Sequence, residues 1–270
     1  MAATRLSAGF EFGSVCDSGR MRDGQSNQDA VQLVLPGPDD VYPPLLLVAD
    51  GMGGYGGGAV ASRLVIQGMK DVYLRASHPA DPGRLLQDGL QTAHRLIRAR
   101  GEEETGLDSM GSTLAAAVLT PERIYSLNVG DSRVYLLRGR QIVQLSQDQS
   151  WVAEQVRAGL LTPEQALRHP RRSRLSMAVS AKRASVQGYL NSVALEVDDV
   201  LVLCTDGLWS VVPEALIWAA ARELDPQTAA EKLVGLANAN GGPDNISVVI
   251  ARRHWPGRKS SSADLDETVP

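Results

Sequence analysis

The sequence has little of what marks several common classes of protein. Its 270 residues include two cysteines, Cys16 and Cys204, which are too few for a disulfide framework. The net charge is −4 with acidic and basic residues interspersed, so we expect no nucleic-acid or membrane partner. No apolar run approaches the roughly 20 residues needed to cross a bilayer, and the N-terminus lacks a signal-peptide core. We therefore expect a cytosolic protein.

Three aspartates lie where apolar runs begin or end. Asp50 and Asp206 each follow such a run and precede a glycine, and Asp244 comes just before another run. Apolar runs of this length are typical of buried strands, so the three carboxylates should lie at the edge of a rigid core. An Asp beside a glycine is also ordinary turn chemistry, which alone explains any one of them. Each aspartate is part of a longer characteristic stretch of sequence than a turn requires, and this favours a metal site.

The available side chains restrict which metal such a site would hold. The four histidines and two cysteines form no cluster of the kind that binds zinc. Carboxylates, backbone carbonyls and water are the ligands of hard divalent cations. The sequence therefore favours a hard divalent cation over zinc.

Hydrophobic periodicity predicts an α+β protein in one large domain, residues 1–255, followed by a disordered polar tail at 256–270. Short connections between successive strands favour antiparallel hairpins, and hairpins that alternate with pairs of helices favour sheets covered by helices. Helices are predicted at 59–75, 83–100, 213–222 and 226–240, with a helical and basic pattern over 149–183. Strands are predicted at 9–15, 31–35, 45–49, 113–119, 123–129, 133–137, 141–145, 192–197, 200–204 and 246–252.

Six short motifs, taken together and in order, resemble the metal-dependent protein phosphatases of the PP2C type, most nearly the compact bacterial serine/threonine phosphatases. The resemblance spans residues 10–252. It implies a β-sandwich of two antiparallel sheets with helices on both faces, in αββα layers. The motifs are Asn27-Gln28-Asp29, Asp50-Gly51-Met52-Gly53-Gly54, Gly111-Ser112-Thr113, Val129-Gly130-Asp131-Ser132-Arg133, Cys204-Thr205-Asp206-Gly207 and Pro243-Asp244-Asn245.

The resemblance also implies a centre of two Mn²⁺ or Mg²⁺ ions that activates a water molecule to hydrolyse phosphoserine and phosphothreonine in proteins. By matching positions, Asp50 bridges the two ions and the Gly51 carbonyl binds the second. Asp206 and Asp244 complete the first ion. Two such ions assist in-line attack on phosphorus, so no protein nucleophile is required. The implied partners are phosphoproteins, among them a serine/threonine kinase and its substrates, and the chain is expected to be a monomer.

Further residues acquire supporting roles from the same resemblance. Asp131 matches an acid that shares a third ion with Asp206 in bacterial relatives. Asp29 is implied to anchor a metal-bound water, with Gln28 and Asn245 beside it.

Phosphate needs a positive partner outside the metals, and Arg22 is the candidate. The family places an arginine shortly before the Asn-Gln-Asp element, but here the spacing is looser. Arg20 is therefore an alternative, and a surface arginine without a role is a third possibility.

The chain departs from the family pattern at four loop positions. Gln28 stands where a glutamate is usual, so a neutral oxygen replaces a charge and affinity for the second metal is in question. Tyr55 and Gln149 stand where histidine is common, and Ala59 where glutamate is common. Because the acids of the first metal are intact, metal-dependent activity is still expected.

Residues 150–185 match the helical flap beside the catalytic cleft of bacterial relatives. Such lids shape access to a site. The basic run at 168–174 has two explanations, attraction of phosphopeptides or a solvated helix end.

Two rival functions remain open from the sequence. Cys16 and Arg22 fit the pattern C-x-x-G-x-x-R, similar to the phosphate loop of cysteine-based phosphatases, although that loop needs a helix directly after it. Alternatively, the fold serves as a catalytically weak regulatory or binding module, since fold alone does not establish activity. Retention of Asp50, Asp206 and Asp244 favours the enzyme.

Overall fold

The computed structural model describes residues 4–253 with the exception of positions 38, 55 and 78. The predicted tail at 256–270 and the departure at Tyr55 therefore lie outside the described residues. Seven helices are described: α1 Gly57–Arg75, α2 Pro82–Glu103, α3 Trp151–Arg157, α4 Pro163–Leu167, α5 Asp206–Trp209, α6 Glu214–Glu223 and α7 Pro226–Ala239, with a 3₁₀ turn at Arg20–Arg22. The described strands are β1 Arg5–Ser7, β2 Phe10–Asp17, β3 Asp29–Val34, β4 Leu45–Met52, β5 Gly111–Ser112, β6 Leu114–Leu119, β7 Arg123–Val129, β8 Arg133–Arg138, β9 Gln141–Gln144, β10 Val179–Ser180, β11 Tyr189–Ala194, β12 Val200–Cys204 and β13 Ile246–Arg253.

The strands form two sheets in which every described pairing is antiparallel. One sheet has the order β1-β2-β13-β12-β8-β9. The other has the order β10-β5-β4-β6-β7-β11, with β3 paired to β4 outside this path. The antiparallel hairpins and the α+β class predicted from the short connections are confirmed.

Three layers of apolar side chains account for the sandwich. One layer lies between the two sheets and includes Phe12, Leu46 and Leu203. A second layer packs α1 and α2 on the outer face of the β4 sheet. The third packs α6 and α7 on the outer face of the β12 sheet. The helices therefore cover both outer faces, as the αββα prediction requires.

In strand β4, apolar residues do not alternate with polar ones because both faces of the strand are buried. Leu45, Leu47 and Ala49 point into the helix-covered layer, whereas Leu46 and Val48 point between the sheets. Successive side chains of a strand face opposite sides, and here both sides are buried. Because residues 45–49 are fixed on both faces, the strand holds the next residue, Asp50, in a defined place.

The second helix begins at the residues that the sequence indicates. Asp81 accepts a hydrogen bond from the Arg84 backbone N–H at 2.8 Å, and Pro82 occupies the first turn. Both residue types are favoured at these positions because they satisfy or remove backbone donors that the helix leaves free.

The prediction of helical structure over residues 149–183 is wrong over much of that segment. Only α3 and α4 are helical, and turns and the short β10 follow. Long-range contacts explain the difference, because the Trp151 backbone N–H donates to Arg174 O at 2.8 Å and the Trp151 ring lies 4.8 Å from that of His169. The basic run at 168–174 therefore follows α4 as turns and folds back against α3.

One strand is displaced from its predicted position. The sequence predicts residues 192–197, whereas β11 is Tyr189–Ala194. Its register is set by β7, with Tyr189 opposite Asn128 and Ala194 opposite Arg123. The pairing partner, which periodicity does not reveal, fixes the ends. Strands β1 and β5 and helix α5 are too short to give a periodic signal and are not predicted.

No helix in the described part of the chain is long and apolar enough to cross a membrane.

Candidate metal centre

Five aspartates from both sheets meet at one end of the sandwich. Asp29 begins β3 and lies opposite Asp50 of β4 in the strand register. Asp206 begins α5 directly after β12, Asp131 lies between β7 and β8, and Asp244 precedes β13. The carboxylate of Asp50 is close enough to the other four for each of them to raise its pKa.

Burial and mutual repulsion raise the pKa values of four of these acids. Burial, as the largest cause, raises the pKa of Asp29 to about 7 and that of Asp206 to about 6. The pKa values of Asp50 and Asp131 are also well above the usual range, again chiefly through burial and then through neighbouring carboxylates. Concentrated negative charge of this kind is costly unless protons or cations neutralise it.

Two carboxylate oxygens at this end have no visible partner. Asp29 Oδ1 and Asp206 Oδ1 are buried without a hydrogen bond from any described residue. Buried polar atoms in native proteins are normally satisfied, and an ion is one explanation for an exception. The orphaned oxygens therefore fit a cation at this end of the sandwich.

The donor set also fits hard divalent ions. Within the described residues, no three acidic, His or Cys side chains converge closely enough to hold an ion by themselves. A bound ion would therefore also need backbone carbonyls and water, which Mg²⁺ in particular retains when it binds to proteins. Asp50, the Gly51 carbonyl, Asp206 and Asp244 can supply such a mixed set of oxygen ligands.

Gly51 and Gly58 allow close packing beside Asp50. A Cβ on Gly51 would lie 1.9 Å from Gly58 O, and a Cβ on Gly58 would lie 2.7 Å from Gly51 O. The same Gly58 Cβ would lie 2.5 Å from Gln28 Oε1. Because neither glycine carries a side chain, the Gly51 carbonyl and the neutral side-chain oxygen of Gln28 can both approach the start of α1 closely.

Polar side chains tie the loops of the two sheets together. The Thr205 hydroxyl donates to Asp29 Oδ2 at 2.9 Å and accepts from the Ser247 backbone N–H at 3.0 Å. Asn245 Oδ1 accepts from the Gln28 backbone N–H at 2.9 Å, and its amide donates to Ser18 O at 2.7 Å. Asn245 therefore links the backbones of Gln28 and Ser18, and Thr205 links Asp29 to the end of β12.

The backbone of Asp50 is held by the motif at 111–113. The Thr113 backbone N–H donates to Asp50 O at 2.8 Å, and the Ser112 hydroxyl donates to the same oxygen at 2.9 Å. The Asp50 backbone N–H in turn donates to Thr113 Oγ1 at 3.0 Å. Sequence reasoning singled out this motif but gave its hydroxyls no role.

The structure places Arg22, rather than Arg20, against the acids. Arg22 Nη2 lies 3.1 Å from Asp244 Oδ1, and both side chains are about two-fifths exposed. Arg20 is exposed, and its backbone N–H donates to Asn238 Oδ1. A solvent-accessible arginine beside the carboxylates is well placed to receive a phosphate oxygen.

Cys16 has the wrong surroundings for a nucleophile. It lies within β2, and only the 3₁₀ turn at Arg20–Arg22 follows, so no helix directs its dipole at the thiol. Although the residue is exposed overall, desolvation raises the pKa of its thiol, which keeps it protonated.

Replacing Cys16 by Ser should therefore leave kcat and KM for p-nitrophenyl phosphate unchanged, because the thiol takes no part in the reaction. Steady-state kinetics of the purified variant measures this. Complete loss of turnover in a folded Cys16→Ser protein would contradict the metal-centred account.

Comparison with known proteins decides the family. The profile described as Protein phosphatase 2C matches residues 16–236. The chain belongs to the protein phosphatase 2C family. It is 35% identical over 218 residues to the serine/threonine phosphatase stp of Listeria innocua serovar 6a, which covers 78% of this chain and 85% of that protein.

Solved structures of protein phosphatase 2C relatives have the same fold as this chain. The crystal structure of the Mycobacterium tuberculosis serine/threonine phosphatase PstP/Ppp has a TM-score of 0.82 at 32% identity and covers 91% of this chain and 99% of that one. The PstP catalytic domain in complex with two manganese ions has a TM-score of 0.79 at 31% identity, with the same coverage of each chain. The family, the fold and the serine/threonine phosphatase class predicted from the motifs are confirmed.

Proposed function

We propose that this chain hydrolyses phosphoserine and phosphothreonine in proteins, using Mn²⁺ or Mg²⁺ ions held by Asp50, the Gly51 carbonyl, Asp206 and Asp244. The observation that carries the proposal is the convergence of five aspartates, two of them with orphaned buried oxygens, in a protein phosphatase 2C fold. When bound, two such ions lower the pKa of a water molecule and neutralise the phosphoryl oxygens.

The residues of the chain divide the remaining tasks. Asp50 interacts electrostatically with each of the other four acids, so it would contribute a ligand to both ions, while Asp206 and Asp244 would hold one of them. Arg22, released from its pair with Asp244, binds a phosphate oxygen and orients the substrate. Asp29 fixes Thr205, and so the turn that leads into Asp206, and its second oxygen can hold a water molecule.

Asp131 is proposed to share a third ion with Asp206. After burial, the nearby charge of Asp206 is the largest cause that raises the pKa of Asp131. A cation between them would relieve that repulsion.

A cavity gives the substrate a route to these acids. Its volume is about 850 Å³, and its lining includes Asp131, Asp206 and Asp244. The lining also includes Val152 of α3 and Leu167 of α4, in the segment predicted to be the flap. The presence of apolar side chains in the same cavity as the acids supports a protein segment as the substrate.

Metal-dependent release of phosphate is the direct test. The purified chain should hydrolyse a phosphothreonine peptide and p-nitrophenyl phosphate with Mn²⁺ or Mg²⁺, lose activity in EDTA, and recover it when the metal is restored. Phosphate release measured over a series of metal concentrations checks this. A folded protein with no metal-dependent release would leave only the binding-module alternative.

The domain organisation, oligomeric state, cellular compartment and substrates of the chain can be proposed as well. We propose that residues 1–255 act as one catalytic domain with a flap at about 150–185, and that the chain works as a monomer. The two unpaired cysteines, Cys16 and Cys204, support a reducing compartment such as the cytosol. The substrates would be phosphoproteins produced by a serine/threonine kinase, since that reaction makes the phosphoesters this enzyme class removes.

A further inference from the structure

Arg133 makes an unusually complete set of contacts close to the acids. Its Nε donates to both oxygens of Asp148 at 3.1 Å, and its Nη2 donates to Asp148 Oδ2 at 2.7 Å. Its Nη1 donates to the Tyr135 hydroxyl at 2.7 Å. The Arg133 and Asp148 side chains are only 17% and 12% exposed. A forked pair of this kind, with both side chains largely shielded from solvent, has little freedom to change its geometry.

The guanidinium also stacks on a residue that reaches the metal centre. Its carbon lies 3.7 Å from the ring centroid of Trp209, the last residue of α5. Trp209 Nε1 donates to Asp131 O at 2.9 Å. Because α5 begins at Asp206, the placement of Trp209 influences the position of the short helix that carries Asp206. Through its hydrogen bond, it also influences the position of the Asp131 backbone.

Asp148 connects this group to the base of the flap. Its backbone oxygen accepts from Arg157 Nη1 of α3 at 2.9 Å, and Gln144 Nε2 donates to its Oδ1 at 2.7 Å. The next residue, Gln149, is tied to Gly130 by two hydrogen bonds of 2.8 and 2.9 Å. The contacts therefore run from α3 through Asp148 and Arg133 to the two acids.

We infer that Arg133 is a positioning residue that clamps the flap base to α5 and thereby holds Asp131 and Asp206 at the spacing that metal binding requires. Three contacts in series make the clamp: the Arg133–Asp148 pair, the stacking of Arg133 on Trp209, and the hydrogen bond from Trp209 to Asp131 O. Without Arg133, the Trp209 ring loses its stacking partner, and its hydrogen bond to Asp131 O holds α5 and the Asp131 turn together less firmly. The inference rests on the proposed metal-dependent function.

The chain supplies a matched control on the same strand. Arg138 ends β8 and makes the same kind of forked pair, with Nε 2.9 Å from Asp199 Oδ1 and Nη2 2.7 Å from Asp199 Oδ2. It also pairs with Glu196. None of these partners belongs to the candidate metal centre. Loss of Arg138 therefore reports the general cost of removing an arginine clamp from this sheet.

The test compares Arg133→Met, Arg133→Lys and Arg138→Met in the full chain. Free Mn²⁺ is measured by electron paramagnetic resonance as each protein is titrated, alongside kcat and KM for p-nitrophenyl phosphate and the melting temperature. Arg133→Met should weaken Mn²⁺ binding about tenfold or more, as for other residues that orient metal ligands. Arg133→Lys should lie between it and wild type, and Arg138→Met should bind Mn²⁺ as wild type does.

A second variant keeps the inference testable if the Arg133 variants do not fold. Trp209→Phe retains an aromatic face for Arg133 but loses the donor to Asp131 O, so it should also weaken Mn²⁺ binding while KM for substrate stays near wild type. Wild-type Mn²⁺ binding in folded Arg133→Met would overturn the inference about Arg133 but not the proposed function. If Arg133→Met does not fold, wild-type Mn²⁺ binding in Trp209→Phe would do the same. A wild-type chain that binds no Mn²⁺ and shows no metal-dependent hydrolysis would instead overturn the proposed function, and the inference with it.

Discussion

Asp206→Asn should lower kcat/KM for p-nitrophenyl phosphate by at least about 100-fold while the chain remains folded. Asp206 combines an orphaned buried oxygen with a position beside Asp244, so the variant removes a charged ligand of the proposed centre. Asn keeps the size of the side chain and one oxygen, which confines the change to charge. Steady-state kinetics at saturating Mn²⁺ measures the loss.

The stability of the same variant has a definite sign. Burial and then Asp244 raise the pKa of Asp206 to about 6, so at pH 8 without metal its ionised form costs folding free energy. Asp206→Asn should therefore melt at the same temperature or higher at pH 8, and the gain should shrink below pH 6, where the native carboxyl is protonated. Asp88→Asn, on an exposed face of α2, should change neither activity nor this pH dependence. Wild-type rates in Asp206→Asn would contradict its placement in the site.

Gly207→Ala should damage both stability and activity. A Cβ at this position would lie 1.9 Å from Asn245 O, a backbone atom that cannot move without shifting the loop that carries Asp244. Overpacking of this kind typically costs about 1–3 kcal/mol of unfolding free energy. Because the added methyl forces α5 and the Asp244 loop apart, kcat/KM should also fall sharply. Chemical denaturation and steady-state kinetics measure the two effects.

Gly235→Ala is the matched control for Gly207→Ala. Gly235 lies within α7, and a Cβ there would meet no atom within 4 Å. Alanine in a helix interior is more favourable than glycine by about 0.5–1 kcal/mol, so this variant should be slightly more stable and fully active. Full activity in Gly207→Ala would contradict the close approach of α5 to the Asp244 loop.

The sequence predicts most of the sandwich because its central strands are buried on both faces. The runs at residues 45–49 and Val200–Cys204 are apolar without interruption, and their ends locate Asp50 and Asp206. The order of the motifs then brings Asp131 and Asp244 to the same end. The local sequence pattern is enough to locate these four acids because each of them lies in or next to a strand.

The parts that the sequence does not predict depend on contacts between distant segments. Turns replace the expected helix around residues 168–174 because they fold back against Trp151. The choice of Arg22 over Arg20 depends on where the 3₁₀ turn meets Asp244. Arg133 and Trp209 each lie in or beside a recognised motif, but their stacking joins two elements that are far apart in the chain. No periodicity or spacing signals such a contact.

A crystal of the full chain grown with Mn²⁺ and measured at the manganese absorption edge tests the central claim most directly. The account predicts two anomalous peaks about 3.5–4 Å apart. One should contact Asp50, Asp206 and Asp244, and the other Asp50 and the Gly51 carbonyl. A Mn²⁺-saturated, active crystal with no peak beside Asp50, or with manganese bound only elsewhere, would contradict it.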